Sequence, residues 1–393
     1  GERHVGAAVG ARPRRERRPG AQATSTMDKY HLFEEIGRGR MSQVYKGREK
    51  KGVEFFAIKR VDKSRMADVF HEVQMMHKLR NEHCLSFFDW YETRNNLWLI
   101  LEYAAGGNLM SLLKQDGPMP ENAVKVFGVD LMAGLLYLHS SGLIFCDLKP
   151  SNVLLDEYGV LKYADFELCR YIPETEEDMK VQAAQPGEVN GPGGSPGGEN
   201  AAASASAVVH KRGTPHYMAP ELFLPDGVHS FASDLWSLGI VLYELRTGRL
   251  PFREESLREL MRCIFHEAPN LSPRAHAAGK ENSSDVSAGA TVVEASPDLK
   301  DLVLWLLDKD CQERAAWEEV LDHPFWDNFN PPPGRTLPPQ PLFEKRTEEW
   351  RRNAADAAAA AAAAAAVVER KPKEVVDVRQ SLNPEGIARV SLI

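Results

Sequence analysis

The sequence predicts an α+β fold in two parts, a small strand-rich part followed by a larger helical one. Short runs rich in β-branched and aromatic residues crowd positions 30–103, separated by Gly, Asn and Lys turns. After Gly107 the apolar residues recur at helical spacing instead. A stretch from Leu235 to Leu245 is apolar nearly all round, as a helix buried in the middle of a lobe should be.

Taken in order, the strand-like runs are 30–37, 43–49, 54–61, 86–91 and 97–103, and one helix from Val69 to Leu79 interrupts them. Pro120 suits the first turn of a helix whose inner face carries Val124, Phe127, Leu131, Leu135 and Leu138. Ser233 is expected to cap the helix containing Trp236, Ile240 and Leu245, which Gly248 closes.

Composition draws the boundaries and removes whole classes of function. The 393 residues are 43% hydrophobic and 26% charged, so most of the chain should fold. A net charge of -8 offers no basic field for a nucleic acid, and no nucleic-acid partner is expected. The five cysteines form no C-x-x-C pair, which suits a reducing, cytoplasmic setting. No strongly apolar run of about 18 residues is evident, so neither a membrane span nor a membrane partner is expected. Residues 1–26 read as a disordered basic leader and 27–326 as the folded domain, divided near 105 and 106. Residues 173–209 and 275–296, rich in small and polar residues, read as disordered insertions. Beyond lie a Pro-rich linker and an Ala-rich helical tail, 327–393.

Three clusters carry chemistry. Ile36-Gly37-Arg38-Gly39-Arg40-Met41-Ser42-Gln43-Val44 joins two strands, and its glycines leave backbone amides open to a phosphate. A Gly-bearing hairpin explains the same run equally well. Lys59 follows Ala57 within an apolar strand and must be paired or reach solvent; Glu72 lies thirteen residues on, in the predicted helix. Two unrelated surface charges are the plain alternative. The third cluster, Cys146-Asp147-Leu148-Lys149-Pro150-Ser151-Asn152-Val153-Leu154-Leu155, is followed by Asp165-Phe166-Glu167 and Gly213-Thr214-Pro215-His216-Tyr217-Met218-Ala219-Pro220-Glu221, then by Asp234 and Arg314.

With these motifs in this order, residues 30–326 resemble the eukaryotic protein kinase domain, a two-lobed fold with an antiparallel N-lobe sheet plus one helix and a mainly helical C-lobe. Within it the segments around Asp147, Thr214 and Asp234 look most like the Fused/Runkel branch, which includes the fourth unc-51-like kinase. The resemblance implies a serine/threonine kinase that takes ATP and Mg²⁺ and acts on Ser or Thr hydroxyls of a protein substrate. By resemblance Asp147 accepts the substrate proton and Lys149 steadies the transferred phosphoryl group. Asn152 and Asp165 would bind Mg²⁺. Ile36, Gly37, Arg38, Gly39 and Ser42 would cover the nucleotide, and Lys59, fixed by Glu72, would hold its phosphates. Val44, Ala57 and Leu154 would sandwich adenine, with the backbone from Glu102 to Ala104 reading its edge. The branch is associated with microtubule-based structures such as cilia, which implies microtubule-associated partners and a cytoskeletal location.

The departures from the family pattern define a second reading. Ser42 stands at the third glycine position, Phe145-Cys146-Asp147 replaces His-Arg-Asp, and Glu167 replaces the glycine after Asp165-Phe166. Phe145 is expected to pack on Phe166. Cys146 removes a cation that pairs with activation-segment phosphates, and the remaining bases considered, Lys211 and Arg212, lie within that segment. Activity independent of activation-segment phosphorylation follows as an expectation. Glu167 resists backbone conformations open to glycine. Some branch members are described as pseudokinases, so the alternative is an ATP-binding scaffold without useful phosphoryl transfer.

Overall fold

A computed structural model describes residues 27–39, 41–172, 213–224, 227–271, 294–327, 329 and 332. The leader, nearly all of both expected insertions and the Ala-rich tail lie outside the described residues. The chain divides into two compact units, one comprising residues up to 78 together with 85–104, the other 79–84 and everything from 105.

The first unit is a five-stranded antiparallel sheet with one helix. Strands β1 (Tyr30–Arg38), β2 (Ser42–Glu49), β3 (Phe55–Asp62), β4 (Phe87–Glu92) and β5 (Asn96–Glu102) pair in the order β1-β2-β3-β5-β4. Helix α1, Met66–Lys78, interrupts them as the sequence predicted, beginning three residues earlier. Strand β3 buries Ala57, Ile58 and Val61, and Ile58 joins Ile100 and Tyr91 in a core flanked by Tyr30, Phe56 and Trp98. The register places Val44 opposite Lys59 and Ala57 opposite Leu101.

The second unit is mostly helical: α2 (Leu109–Asp116), α3 (Glu121–Ser140), α4 (Phe231–Thr247), α5 (Leu257–His266), α6 (Pro297–Leu306) and α7 (Trp317–Leu321). Pro120 is the N-cap residue of α3, one position before its first turn. Helix α3 is long and apolar enough to cross a membrane, against the sequence expectation. Its most apolar window is 61% buried inside the unit, so its hydrophobicity serves the core. Helix α4 is buried along almost its whole length. Its cap differs from expectation: Ser230 is the N-cap, and Ser233 answers from the third position, its hydroxyl accepting the Ser230 N–H at 3.0 Å. Gly248 ends the helix at φ 71°, where a side chain is strained. A methyl group added at Gly128 of α3 would meet the Trp326 ring at 2.7 Å, so the end of the domain seals onto α3 by this close approach.

Short strands frame the loops that matter for chemistry. β6 (Leu143–Ile144) pairs with β9 (Arg170–Tyr171), and β7 (Val153–Leu155) with β8 (Leu161–Tyr163), so the chain from Phe145 to Asn152 and that from Ala164 to Cys169 are each tied at both ends.

Candidate functional site

In the first unit, Lys59 leaves β3 and meets Glu72 of α1. Its ammonium donates to both carboxylate oxygens, at 2.7 and 2.8 Å, and the side chains are 13% and 4% exposed. A carboxylate so far from water needs its partner; removing the lysine alone leaves a buried charge, at a cost of roughly 3–5 kcal/mol. The two charges the sequence left open as unrelated are therefore one pair. Val44, opposite Lys59, and buried Ala57 add apolar surface, and Leu101 is buried beside them in the register. Glu102, at the end of β5, accepts the Ser86 N–H at 3.0 Å while its own N–H donates to the Ser86 carbonyl at 2.9 Å. Ile36, Gly37 and Arg38 close β1, and the Gly39 N–H donates to the Ser42 carbonyl at 2.9 Å, tightening the turn. Arg38, Gly39 and Ser42 line a polar hollow of about 240 Å³ with Arg60 and Gln43, and Glu35 draws the Arg38 guanidinium aside at 2.7 and 2.6 Å.

In the second unit, everything gathers on the Asp147 carboxylate. Oδ2 accepts from the Lys149 ammonium at 2.5 Å and from Asn152 Nδ2 at 2.8 Å; Oδ1 accepts from the Thr214 N–H at 3.1 Å and its hydroxyl at 2.9 Å. Lys149 also donates to Thr214 Oγ1 at 2.6 Å. This web orients both carboxylate oxygens by direct donation. Asn152 spends Nδ2 on Asp147, through Oδ2 and through the backbone carbonyl at 3.0 Å, which leaves its amide oxygen as an atom of the type that a hard cation accepts. Asp165 follows β8 at φ 65°, a left-handed conformation aspartate tolerates better than most residues. An amide oxygen and a carboxylate are the ligand types Mg²⁺ prefers, so this pair fits that ion. Leu154, in β7, is half-buried.

Cys146 also has positive φ, 70°, and no small polar side chain to ease it. The loop holds this shape because buried Asp234, in α4, accepts the Phe145 N–H at 2.7 Å and the Cys146 N–H at 2.9 Å. The Phe145 ring packs edge-on against Phe166, centroids 5.5 Å apart, as the sequence predicted. Glu167 keeps negative φ, since among described non-glycine residues only Cys146 and Asp165 do not, so it carries no strain of that kind in this conformation. Burial pushes the Cys146 thiol up, which leaves it neutral, and Arg170 of β9 lies against it. Arg170 is thus a base beside Cys146 beyond the two the sequence reading considered; β-pairing of Ile144 with Arg170 brings it there, which no local motif announces.

The sequence presents Thr214 only as a member of the Gly213–Glu221 motif, and its place on Asp147 has no local signal. Gly213 makes that place reachable: its φ is 131°, and a Cβ there would stand 3.1 Å from the Cys146 carbonyl. The sequence by itself assigns no role to Arg314 or Glu221. They form a two-pronged ion pair at 2.8 and 2.9 Å that holds the end of the Thr214 segment.

The protein-family model for the protein kinase domain matches residues 30–326. Among known proteins, serine/threonine-protein kinase RUNKEL of Arabidopsis thaliana is 41% identical over 319 residues, 81% of this chain and 20% of that protein. Mouse serine/threonine-protein kinase ULK4 is 39% identical over 301 residues, 76% of this chain and 22% of that protein. Serine/threonine-protein kinase 36 of Pongo abelii is 29% identical over 304 residues, 76% of this chain and 19% of that protein. The chain spans about a fifth of the length of these relatives.

Proposed function

The chain belongs to the serine/threonine protein kinase family, in its Fused/Runkel branch, and we propose from this that it transfers the γ-phosphoryl group of ATP to Ser or Thr hydroxyls of a protein substrate. The observation that carries the proposal is the Asp147 carboxylate, aimed from four sides by Lys149, Asn152 and the N–H and hydroxyl of Thr214. A carboxylate held this way accepts the proton of an incoming hydroxyl without first having to find its orientation. Mg-ATP, when bound, supplies the activated phosphoryl group and a cation that spreads its charge. Lys59, steadied by Glu72, would hold the phosphates; Asn152 and Asp165 would hold the metal; Lys149 would meet charge developing on the transferred group. Ile36, Gly37, Gly39 and Ser42 would cover the nucleotide, with Val44, Ala57 and Leu154 against adenine and Glu102 to Ala104 along its edge. By analogy with the branch, the setting is cytoplasmic and the partners are microtubule-associated.

A second reading, an ATP-binding scaffold without useful transfer, is favoured by one feature, Glu167 in place of glycine. Its side chain restricts the rearrangement of the Asp165 segment even though the described conformation is unstrained. Transfer of labelled phosphate to a Ser/Thr peptide library, with Asp147→Asn as control, separates the readings when run beside nucleotide-induced thermal shift. The enzyme reading expects transfer that Asp147→Asn reduces by about 10³-fold or more. A thermal shift with Mg-ATP and no transfer above that control supports the scaffold.

A further inference from the structure

Behind the catalytic loop lies a chain of hydrogen bonds that the phosphoryl-transfer reading does not use. Trp317, the first residue of α7, donates its indole N–H to His139 Nδ1 at 2.9 Å across 178 residues of sequence. His139, in the last turn of α3, faces Asp234 Oδ2 through Nε2 at 2.9 Å. The Asp234 carboxylate in turn accepts the N–H groups of Phe145 and Cys146. None of the three side chains sees water to any extent: His139 and Asp234 are 0% and 1% exposed, and Trp317 is buried.

Indole nitrogen can only donate. His139 Nδ1 must therefore be the unprotonated nitrogen, and the ring's single proton sits on Nε2, pointing at Asp234. A proton on Nδ1 would set two N–H groups head to head at 2.9 Å in a buried site. Phe231 stacks on the imidazole, 4.3 Å between centroids, and blocks rotation of the ring out of this line. We propose that Trp317 is a positioning residue for the catalytic loop: by choosing the Nε2–H tautomer of His139, it makes the imidazole a neutral donor to Asp234 and so fixes the carboxylate that holds Phe145 and Cys146. The strained φ of 70° at Cys146 is the conformation at stake, since Asp147 is the next residue. A neutral donor leaves the Asp234 oxygens available to the two backbone N–H groups. An imidazolium there would compete for the same carboxylate as a stronger donor and draw it off the loop. The charged group facing His139 is Asp234 from α4. Around that carboxylate Tyr163, Cys146 and Cys169 all have their pKa values pushed up by burial and stay neutral.

The inference rests on the kinase reading, and the test keeps the two apart. Trp317→Phe keeps a ring and loses the donor; where it folds poorly, replacing the indole N–H at this position by sulfur, as in benzothienylalanine, keeps the shape as well. The full chain labelled with ¹⁵N-histidine is examined by NMR for the His139 tautomer, alongside amide exchange at Phe145 and Cys146 and the kinetics of peptide phosphorylation. The parent should show the Nε2–H tautomer. Without the donor, the ring proton should no longer be confined to Nε2, the Phe145 and Cys146 amides should exchange faster, and kcat should fall on the order of 10-fold with little change in KM for Mg-ATP. An unchanged tautomer in both variants overturns the inference, as does a changed tautomer with unaltered exchange and kcat. A parent that transfers no phosphate defeats the kinase reading alone, because tautomer and exchange still decide this one.

Discussion

Asp147 and Thr214 stand 67 residues apart in sequence and touch through two hydrogen bonds. This contact assigns Thr214 a task that phosphorylation would undo, because a phosphate on Oγ1 would set negative charge against the Asp147 carboxylate. Thr214→Val keeps the β-branch and removes the hydroxyl shared by Asp147 and Lys149. It should lower kcat on the order of 100-fold through lost orientation, while Thr214→Ser retains most of it. Thr214→Glu should abolish transfer as completely as Asp147→Asn. Steady-state kinetics on variants matched for thermal unfolding check this, and a Thr214→Val enzyme with parental kcat contradicts it. Lys59 and Glu72 show the opposite case. Each residue was readable on its own strand or helix from charge among apolar neighbours, and the tertiary contact turned the guess into a pair.

Helix α4 carries the second unit, for Asp234 reaches the Phe145–Cys146 backbone from it and its residues are buried nearly throughout. Both ends are defined by local chemistry: a reciprocal Ser230 and Ser233 cap at the start and a left-handed glycine at Gly248. Ser230→Ala should cost about 1 kcal/mol of unfolding free energy through the lost cap. Gly248→Ala should cost about 1–2 kcal/mol because a Cβ opposes φ of 71°. Urea unfolding with unchanged m-values is the measurement, and a stabilised Gly248→Ala protein would show that this terminus is not held as described. The true cap lay three residues before the expected one because either serine fits a cap by sequence. Which of them starts the helix depends on where the chain enters after Gly227, a matter of packing.

Electrostatics link the interior of the second unit to global stability at alkaline pH. Lys309 places its ammonium 4.9 Å from the Trp236 ring centroid and 4.2 Å from that of Phe252, with no hydrogen-bond partner. Burial, with the Arg314 charge adding to it, pulls this ammonium down from 10.5 to about 8. The folded protein then releases the proton earlier than the unfolded chain does. Stability gains from this group as pH rises from about 8 toward 10.5, and the gain is lost as pH falls back through about 8. Lys309→Met should flatten that part of the profile and leave the acid limb unchanged. Denaturant midpoints collected across the interval decide it, equal slopes in the two proteins being the contrary result.

The five strands of the first unit, the helix that interrupts them and the two longest helices of the second unit were legible in the sequence, because each depends on neighbours within a turn or two. The short strands and the shorter helices of the second unit were not. Richness in apolar, aromatic and β-branched residues marked β3, and helical spacing marked α3, without knowledge of anything else. The rest arises between residues that the chain keeps far apart. Trp317 at His139, Thr214 at Asp147, Arg170 at Cys146 and Asp234 at the Cys146 amide are each one polar group meeting another across 24 to 178 positions. Such partners carry no periodic signal, since a buried donor needs only one acceptor and the chain can supply it from anywhere that packing brings close. Folding alone decides which acceptor that is, and with it the protonation of His139 and the backbone strain at Cys146.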